Sequence, residues 1–191
     1  SSAASDVYKR QILSRYVGWG GLADAFDETK SAWETEYLEL KTVLTPEEYA
    51  AARASTLNAH YTQPIVIESM YQALENLGFT KGNILEPSMG VGNFFGMLPE
   101  KLNQSKLYGV ELDSISGRIA KLLYPDANIQ IKGFEKTDYP NDFFDVAIGN
   151  VPFGAYKVND RQYDRYNFMI HDYFLAKTID QLRPGGVAAL I

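Results

Sequence analysis

Short apolar runs alternate with amphipathic segments in the second half of the chain, from residue 83 onward. The apolar runs have the length of buried strands and cover residues 84–85, 107–110, 129–131, 143–148 and 187–191. The amphipathic segments have helical spacing and cover residues 94–102, 115–123 and 169–182. This alternation predicts a doubly wound α/β fold, with a parallel sheet and helices on both faces. Because the last run stops at residue 191, we expect a sheet truncated at its fifth strand.

The first part of the chain has a helical pattern instead. Apolar residues at spacings of three and four predict one buried helix face, formed by Trp33, Tyr37, Leu40 and Leu44. Thr45 is placed to open a further helix, in which Glu48 completes a capping box. We therefore expect a helical extension over residues 12–57 and an α/β domain over residues 58–191. Residues 1–11 are small and polar, and we expect a tail that is disordered or foreign to the natural protein.

Composition narrows the range of functions. With 46% hydrophobic and 22% charged residues, the chain has the balance of a globular protein. The absence of cysteine excludes disulfides, thiolate zinc sites and cysteine nucleophiles, and two histidines argue against a histidine-rich metal site. A net charge of -6 indicates that any contact with nucleic acid is local or supplied by further sequence. No apolar run has membrane-spanning length and no signal segment is evident, so we expect a cytoplasmic protein without a membrane partner.

A glycine-rich turn follows the first predicted strand. It reads Glu86-Pro87-Ser88-Met89-Gly90-Val91-Gly92. Ligands of doubly wound sheets bind beyond the carboxyl ends of the strands, so this turn is a candidate binding site; a tight strand-to-helix turn is the alternative interpretation. Phe95 stands where a dinucleotide-binding turn would have its third glycine, which disfavours a pyrophosphate cofactor.

An acid follows the second predicted strand. Glu111 lies about 20 residues past the glycine turn, where a carboxylate can accept hydrogen bonds from two ribose hydroxyls. We prefer Glu111 to Asp113, because Glu111 directly follows the apolar run and Asp113 is placed to start the next helix. The alternative is a solvated acid at a strand end.

A third turn follows the fourth predicted strand, at the same edge of the sheet, and reads Asn150-Val151-Pro152-Phe153-Gly154. Together, the glycine turn, the acid and this turn resemble the amino-methyltransferases that use S-adenosylmethionine, especially DNA adenine methyltransferases. Residues 58–64, Asn-Ala-His-Tyr-Thr-Gln-Pro, are similar to the aromatic-Thr-Pro segment that precedes the cofactor turn in that family. More narrowly, the chain from about Arg15 onward resembles the methyltransferase portion of large helicase-methyltransferase proteins of conjugative elements and phages.

The resemblance implies a Rossmann-like methyltransferase domain over residues 58–191 that transfers a methyl group from S-adenosylmethionine to the amine of a flipped-out adenine in DNA. It implies helicase and target-recognition regions in the same natural polypeptide. The implied catalytic residues are Asn150, Val151, Pro152 and Phe153. The implied cofactor-binding residues are Tyr61, Thr62, Glu86, Pro87, Ser88, Gly90, Gly92, Glu111, Leu112 and Glu135.

One departure from the family pattern is Val151, which stands where the family has a first proline. Valine keeps the backbone carbonyl that accepts a hydrogen bond from the amine, but the turn loses a ring-locked φ. Two alternatives therefore stay open: a methyltransferase of protein glutamine or RNA, and a non-catalytic module inside a larger helicase. Without the other motifs, residues 150–153 would be an Asx-type turn with Phe153 in the core.

Three weaker signals remain. Tyr61 is either a cofactor contact or a hydrophobic staple at a helix entry. The segment 155–167 interleaves basic and aromatic residues in a way that suits nucleic acid, but Asp160 and Asp164 dilute its charge and favour a solvated mobile loop. His171 is placed to cap and pack the following helix.

Overall fold

Five parallel strands form one sheet in the computed structural model, which describes residues 2–56 and 61–191. The strands are β1 (Asn83–Glu86), β2 (Lys106–Glu111), β3 (Asn128–Ile131), β4 (Phe144–Gly149) and β5 (Leu182–Leu190). Their order is β3-β2-β1-β4-β5, so the chain reverses its direction of winding at β1. The carboxyl ends of β1, β2 and β4 consequently flank the crevice in which such sheets bind ligands. The predicted doubly wound fold is confirmed.

The helices are α1 (Ser2–Leu13), α2 (Glu34–Val43), α3 (Pro46–Ser55), α4 (Pro64–Asn76), α5 (Asn93–Gly96), α6 (Ser114–Leu123) and α7 (Ile170–Gln181). The predicted capping box of α3 is confirmed, since Thr45 Oγ1 accepts from the Glu48 amide and the Glu48 carboxylate accepts from the Thr45 amide. The predicted helix over residues 94–102 is interrupted after α5, because Gly96 favours a helix end and Pro99 cannot continue one. No helix of the described chain is long and apolar enough to cross a membrane.

The sheet is buried on both faces, which explains its continuous apolar strands. On one face, Ile67 and Tyr71 of α4 pack against Ile84. On the other face, Tyr173 and Phe174 of α7 pack in the cluster that contains Leu85. Because neighbouring residues of a strand point to opposite faces, the central strand contributes to both layers.

The N-terminal segments form a smaller cluster around Phe26 and Ala52. Trp33, Leu40 and Leu44 of the predicted apolar face pack against it. An ion pair between Glu48 and Arg118 joins α3 to α6, and α1 also lies beside α6. The tail over residues 1–11, which we expected to be disordered or foreign to the natural protein, belongs from Ser2 onward to helix α1, in keeping with the helix propensity of its alanine, lysine, arginine and glutamine residues. The expected domain boundary at 57/58 and His60 lie outside the described residues.

Candidate active site

The glycine turn after β1 needs its two glycines for different reasons. Both adopt left-handed backbone conformations, with φ of 55° at Gly90 and 88° at Gly92. A Cβ at Gly90 would meet no atom within 4 Å, whereas a Cβ at Gly92 would lie 2.5 Å from Cε2 of Tyr124. Gly90 therefore borders open space, while Gly92 makes room for an aromatic ring in the protein interior. Gly92, which we assigned to the cofactor, does not line the cavity described below.

Glu111 ties the end of β2 to the glycine turn. Its Oε2 accepts a hydrogen bond from the Gly90 amide at 2.7 Å, and its Oε1 accepts one from the Asp113 amide at 2.7 Å. Each carboxylate oxygen has two lone pairs, so acceptor capacity remains for hydroxyl groups of a ligand. Burial raises the pKa of Glu111 to about 7, although the hydrogen bonds from Asp113 and Gly90 oppose this shift.

Asp113 has a structural role at the start of α6. Its carboxylate accepts from the amides of Ile115 and Ser116 and is the N-cap of α6. This agrees with the sequence-based preference for Glu111 over Asp113 as the acid that faces a ligand.

Glu86, the last residue of β1, is buried and lines the same cavity as Gly90 and Glu111. Its Oε2 has no hydrogen-bond partner among the residues that the structure describes. Burial raises the pKa of Glu86 well above its usual range, and the nearby charge of Glu111 raises it further. A buried carboxyl oxygen without a partner needs an explanation, and a cationic or hydrogen-bonding group of a ligand in the cavity would supply one.

The turn after β4 brings Asn150 to the lining of this cavity. Asn150 Nδ2 donates to Thr62 Oγ1 at 3.3 Å, which leaves Oδ1 as the free acceptor of the amide. The Val151 side chain is in the core, and its amide donates to the Ile191 carbonyl at 2.9 Å. The Val151 carbonyl accepts no hydrogen bond within the described chain. Among the described residues, Asn150 Oδ1 and the Val151 carbonyl are therefore two unused acceptors on consecutive residues of this turn.

Phe153 is not a core residue, because 51% of its surface is exposed. Its ring stacks on His171 with a centroid distance of 5.7 Å and an interplanar angle of 22°. His171 does not cap α7, since Met169 occupies the N-cap position. The Phe153 ring therefore stacks on His171 and remains half exposed at the turn that contains Asn150.

One cavity connects these features, with about 1110 Å³ of empty space including its open mouth. The predicted residues that line it are Tyr61, Thr62, Glu86, Pro87, Ser88, Gly90, Glu111, Leu112, Glu135, Asn150 and Pro152. Three predicted residues do not: Gly92 and Val151 have buried positions in the interior, and Phe153 lies outside the mouth. The sheet therefore brings the glycine turn, the acid and the Asn150 turn to a single space.

Sequence analysis missed one wall of the cavity. Val17, Gly18 and Ser55 of the N-terminal segments line it, although we placed these segments in a separate extension. The glycine-rich run over residues 18–21 was the only available signal.

Val17→Trp is expected to weaken ligand binding at least tenfold, because a large side chain would fill part of the cavity, whereas Val17→Ala should change it little. Calorimetric titration with S-adenosylmethionine measures both, and unchanged binding by Val17→Trp would contradict this wall.

A buried lysine joins two further walls. Lys177 Nζ donates to the carbonyls of Phe134 at 2.8 Å and Thr137 at 3.3 Å, and to Asp160 Oδ2 at 3.0 Å. Phe134 lines the cavity, and Asp160 belongs to the loop formed by residues 153–169, which contributes Tyr156 and Val158. Burial alone would raise the pKa of Asp160, but hydrogen bonds from Tyr173 and Lys177 outweigh it, so this pKa is lowered.

The cavity fits an adenosine-containing cation. Val110, Phe134 and Phe174 offer apolar surface for a purine ring, Glu111 offers acceptors for ribose hydroxyls, and Glu86 offers an unpaired carboxyl oxygen. No group of three or more metal-ligating side chains occurs among the described residues.

The fold is that of S-adenosylmethionine-dependent methyltransferases. A type I restriction-modification methyltransferase subunit from Streptococcus thermophilus superposes with a TM-score of 0.56 at 16% identity, covering 85% of this chain and 42% of that one. A modification subunit of a type I restriction enzyme from Vibrio vulnificus gives 0.53 at 17% identity, covering 85% and 39%. A class I S-adenosylmethionine-dependent methyltransferase from Listeria monocytogenes gives 0.53 at 15% identity, covering 85% and 59%.

In sequence, the chain is similar to the defense against restriction protein B of Escherichia phage P1. The two are 31% identical over 193 residues, which cover 96% of this chain. The chain spans 7% of the length of that relative. No protein-family model matches the chain.

Proposed function

We propose that the chain transfers a methyl group from S-adenosylmethionine to the exocyclic amine of adenine in DNA. The observation that carries this proposal is that Glu111, Gly90 and Asn150 all line one cavity. A ligand held by Glu111 and Gly90 would therefore share this space with an amine held by Asn150.

On this proposal, Glu111 binds the ribose hydroxyls, and the apolar walls around Phe134 hold the adenine ring of the cofactor. Glu86 would accept from the cofactor's amino group, which satisfies its unpaired oxygen. Bound S-adenosylmethionine supplies an electrophilic methyl group on a positively charged sulfur. The protein's contribution is to hold this group in line with the acceptor nitrogen.

An aromatic amine is a weak nucleophile, because its lone pair is delocalised into the ring. Asn150 Oδ1 and the Val151 carbonyl can accept one amine hydrogen each, which would localise the lone pair on the nitrogen and aim it at the methyl group. As the nitrogen takes the methyl group, the methyl–sulfur bond would break, the sulfur would keep the electron pair and the cofactor would leave as a neutral thioether. The nitrogen would gain positive charge, and both acceptors would stabilise that charge until one proton leaves to water. Phe153 would stack on the base, which must be flipped out of a duplex to reach the turn.

Several observations favour DNA as the substrate. Two solved structures that share the fold are methyltransferase or modification subunits of restriction systems, and the phage relative is named for defense against restriction. The phenylalanine at position 153 is in keeping with adenine as the stacked base. Helicase and target-recognition regions in the same natural polypeptide remain part of the proposal, as this chain corresponds to 7% of the phage relative.

A methyltransferase of RNA or protein glutamine would use the same turn, and a non-catalytic module would keep the fold without transfer. Labelled methyl transfer from S-adenosylmethionine to unmethylated DNA, run beside RNA and protein acceptors, separates these functions. We expect incorporation into DNA as N6-methyladenine. Incorporation into RNA or protein alone would change the substrate, and cofactor binding without any transfer would favour the non-catalytic module.

Glu111→Ala is expected to cost about 1.5–3 kcal/mol of cofactor binding, because it removes charge-assisted hydrogen bonds to ribose. Ionised Glu111 is the better acceptor, and its pKa is about 7. Wild-type affinity should therefore fall as the pH is lowered from 8 to 6, and Glu111→Gln should flatten this dependence. Calorimetry at several pH values is the measurement, with Glu86→Gln run in parallel because burial raises the pKa of Glu86 as well. Equal affinity of wild type and Glu111→Ala would remove Glu111 from the site.

A further inference from the structure

The 153–169 loop has an exposed face that combines cations with aromatic rings. Lys157, Arg161 and Arg165 are exposed, and none of them forms an ion pair with a carboxylate of the described chain. Tyr166 is 51% exposed and stacks on Phe168 with an interplanar angle of 16°. The Arg165 guanidinium lies over the Tyr166 ring, 4.6 Å from its centroid.

The loop is held in place by its own contacts. The Ile170 amide donates to the Tyr156 carbonyl, and Lys157 Nζ donates to Asn167 Oδ1, so the two limbs of the loop run side by side. Asp160 is fixed by Lys177 and by the Tyr173 hydroxyl at 2.7 Å. These contacts connect the loop to itself and to α7.

The same anchoring changes the charge of the exposed face. Asp160, which dilutes the positive charge of this segment in the sequence, is turned inward, with only 13% of its side chain exposed, and is paired with Lys177. Asp164 stays exposed, but one of its oxygens accepts from the Asp160 amide, and Asp172 lies beside His171. Within residues 153–169, three exposed cations therefore stand beside one exposed acid, Asp164, although the whole chain carries a net charge of -6.

We propose that this face, made by Lys157, Arg161, Arg165 and Tyr166, binds the DNA strand that flanks the target base. This inference rests on the proposed function. Guanidinium and ammonium groups contact phosphates, and exposed rings stack on unpaired bases. The face adjoins the mouth of the cavity, since Tyr156 and Ile170 line the cavity and Phe153 stacks on His171 next to them. A strand on this face would deliver its flipped base to Asn150.

The test is fluorescence anisotropy of a labelled 12-nucleotide single-stranded DNA with the full chain, over a range of salt concentrations. Three phosphate contacts to a single strand contribute about −2 to the slope of log K against log salt. The triple variant Lys157→Ala, Arg161→Ala, Arg165→Ala should lose this part of the slope and bind on the order of 10- to 100-fold more weakly at low salt. Tyr166→Ala should bind about 5- to 150-fold more weakly without changing the slope.

The matched control replaces Lys81, Lys106 and Lys121 by alanine, which changes the net charge equally. These lysines are exposed and lie away from the loop; Lys81 and Lys106 are at the amino ends of β1 and β2. The control should bind like wild type, and both triple variants should keep the wild-type circular dichroism melt. Equal loss in both triple variants, no binding by wild type, or tighter binding of an RNA of the same sequence would each overturn the proposal.

The outcomes also separate this surface from the enzymatic proposal. Methyl transfer to DNA that is unaffected by the loop variants would remove the surface and leave the function. Loop-dependent binding of DNA by a chain that does not bind S-adenosylmethionine would keep the surface and remove the function.

Discussion

Asn150→Ala is expected to lower the rate of methyl transfer to DNA by about 10²–10³, with little change in affinity for S-adenosylmethionine. The reason is that Oδ1 accepts a hydrogen bond from an amine that gains positive charge only during transfer, so this contact is strongest in the transition state. Thr62 supports the geometry, because its Oγ1 accepts a hydrogen bond from Asn150 Nδ2 at 3.3 Å.

Single-turnover transfer of labelled methyl groups, with cofactor affinity from calorimetry, separates the rate effect from the binding effect. Asn103→Ala is a matched control, since this exposed asparagine donates to Glu100 and is remote from the cavity. It should transfer at the wild-type rate. If Asn150→Ala also transferred at that rate, the turn after β4 would have no part in the chemistry.

Val151→Pro, which restores the family pattern, would be a natural companion variant on sequence grounds. The structure argues against it, because the Val151 amide donates to the Ile191 carbonyl at 2.9 Å and proline has no amide hydrogen. Loss of that bond should loosen the turn where β5 ends. In this chain the turn is stiffened by a neighbouring strand end instead of a ring-locked φ.

The parts of the fold that were predictable depend on local rules. Strands buried on both faces produce continuous apolar runs, so β4 and its neighbours were evident from the sequence. The capping box at Thr45 and the N-cap at Asp113 involve residues two or three positions apart, and such spacings are visible in a sequence. The order of the turns along the chain then predicted which of them share an edge of the sheet.

The remaining parts depend on contacts between distant segments. Val17 reaches the cavity only because the N-terminal segments pack on α6, which no spacing in the sequence indicates. The sequence also did not show that Gly92 makes room for the Tyr124 ring and not for a ligand, because the two residues are 32 positions apart. The inward orientation of Asp160 depends on Lys177 of α7, 17 positions away, and it removes one of the two acids that we expected to dilute the positive charge of residues 155–167.

Lys177 is expected to have a large effect on the stability of the fold. Lys177→Met is expected to lower the free energy of unfolding by about 3–5 kcal/mol at pH 7, because the substitution leaves the Asp160 carboxylate without its counter-charge and two carbonyls without their donor. The side chain of Lys177 is 6% exposed and that of Asp160 is 13% exposed, so water cannot replace the lost bonds fully. Lys121→Met is the matched control at an exposed lysine of α6 and should change stability by less than about 0.5 kcal/mol.

Denaturant unfolding at several pH values tests the ionic part of this effect. The pKa of Asp160 is lowered in the folded state, so its contribution is present above the unfolded value of 3.8 and is lost as the pH falls through the folded value. The difference between wild type and Lys177→Met should therefore shrink in acid. Adding Asp160→Asn to Lys177→Met should recover part of the stability at pH 7, because no buried charge is then left unpaired. If Lys177→Met unfolded at the same denaturant concentration as wild type, Lys177 would not hold the 153–169 loop against the cavity wall at Phe134.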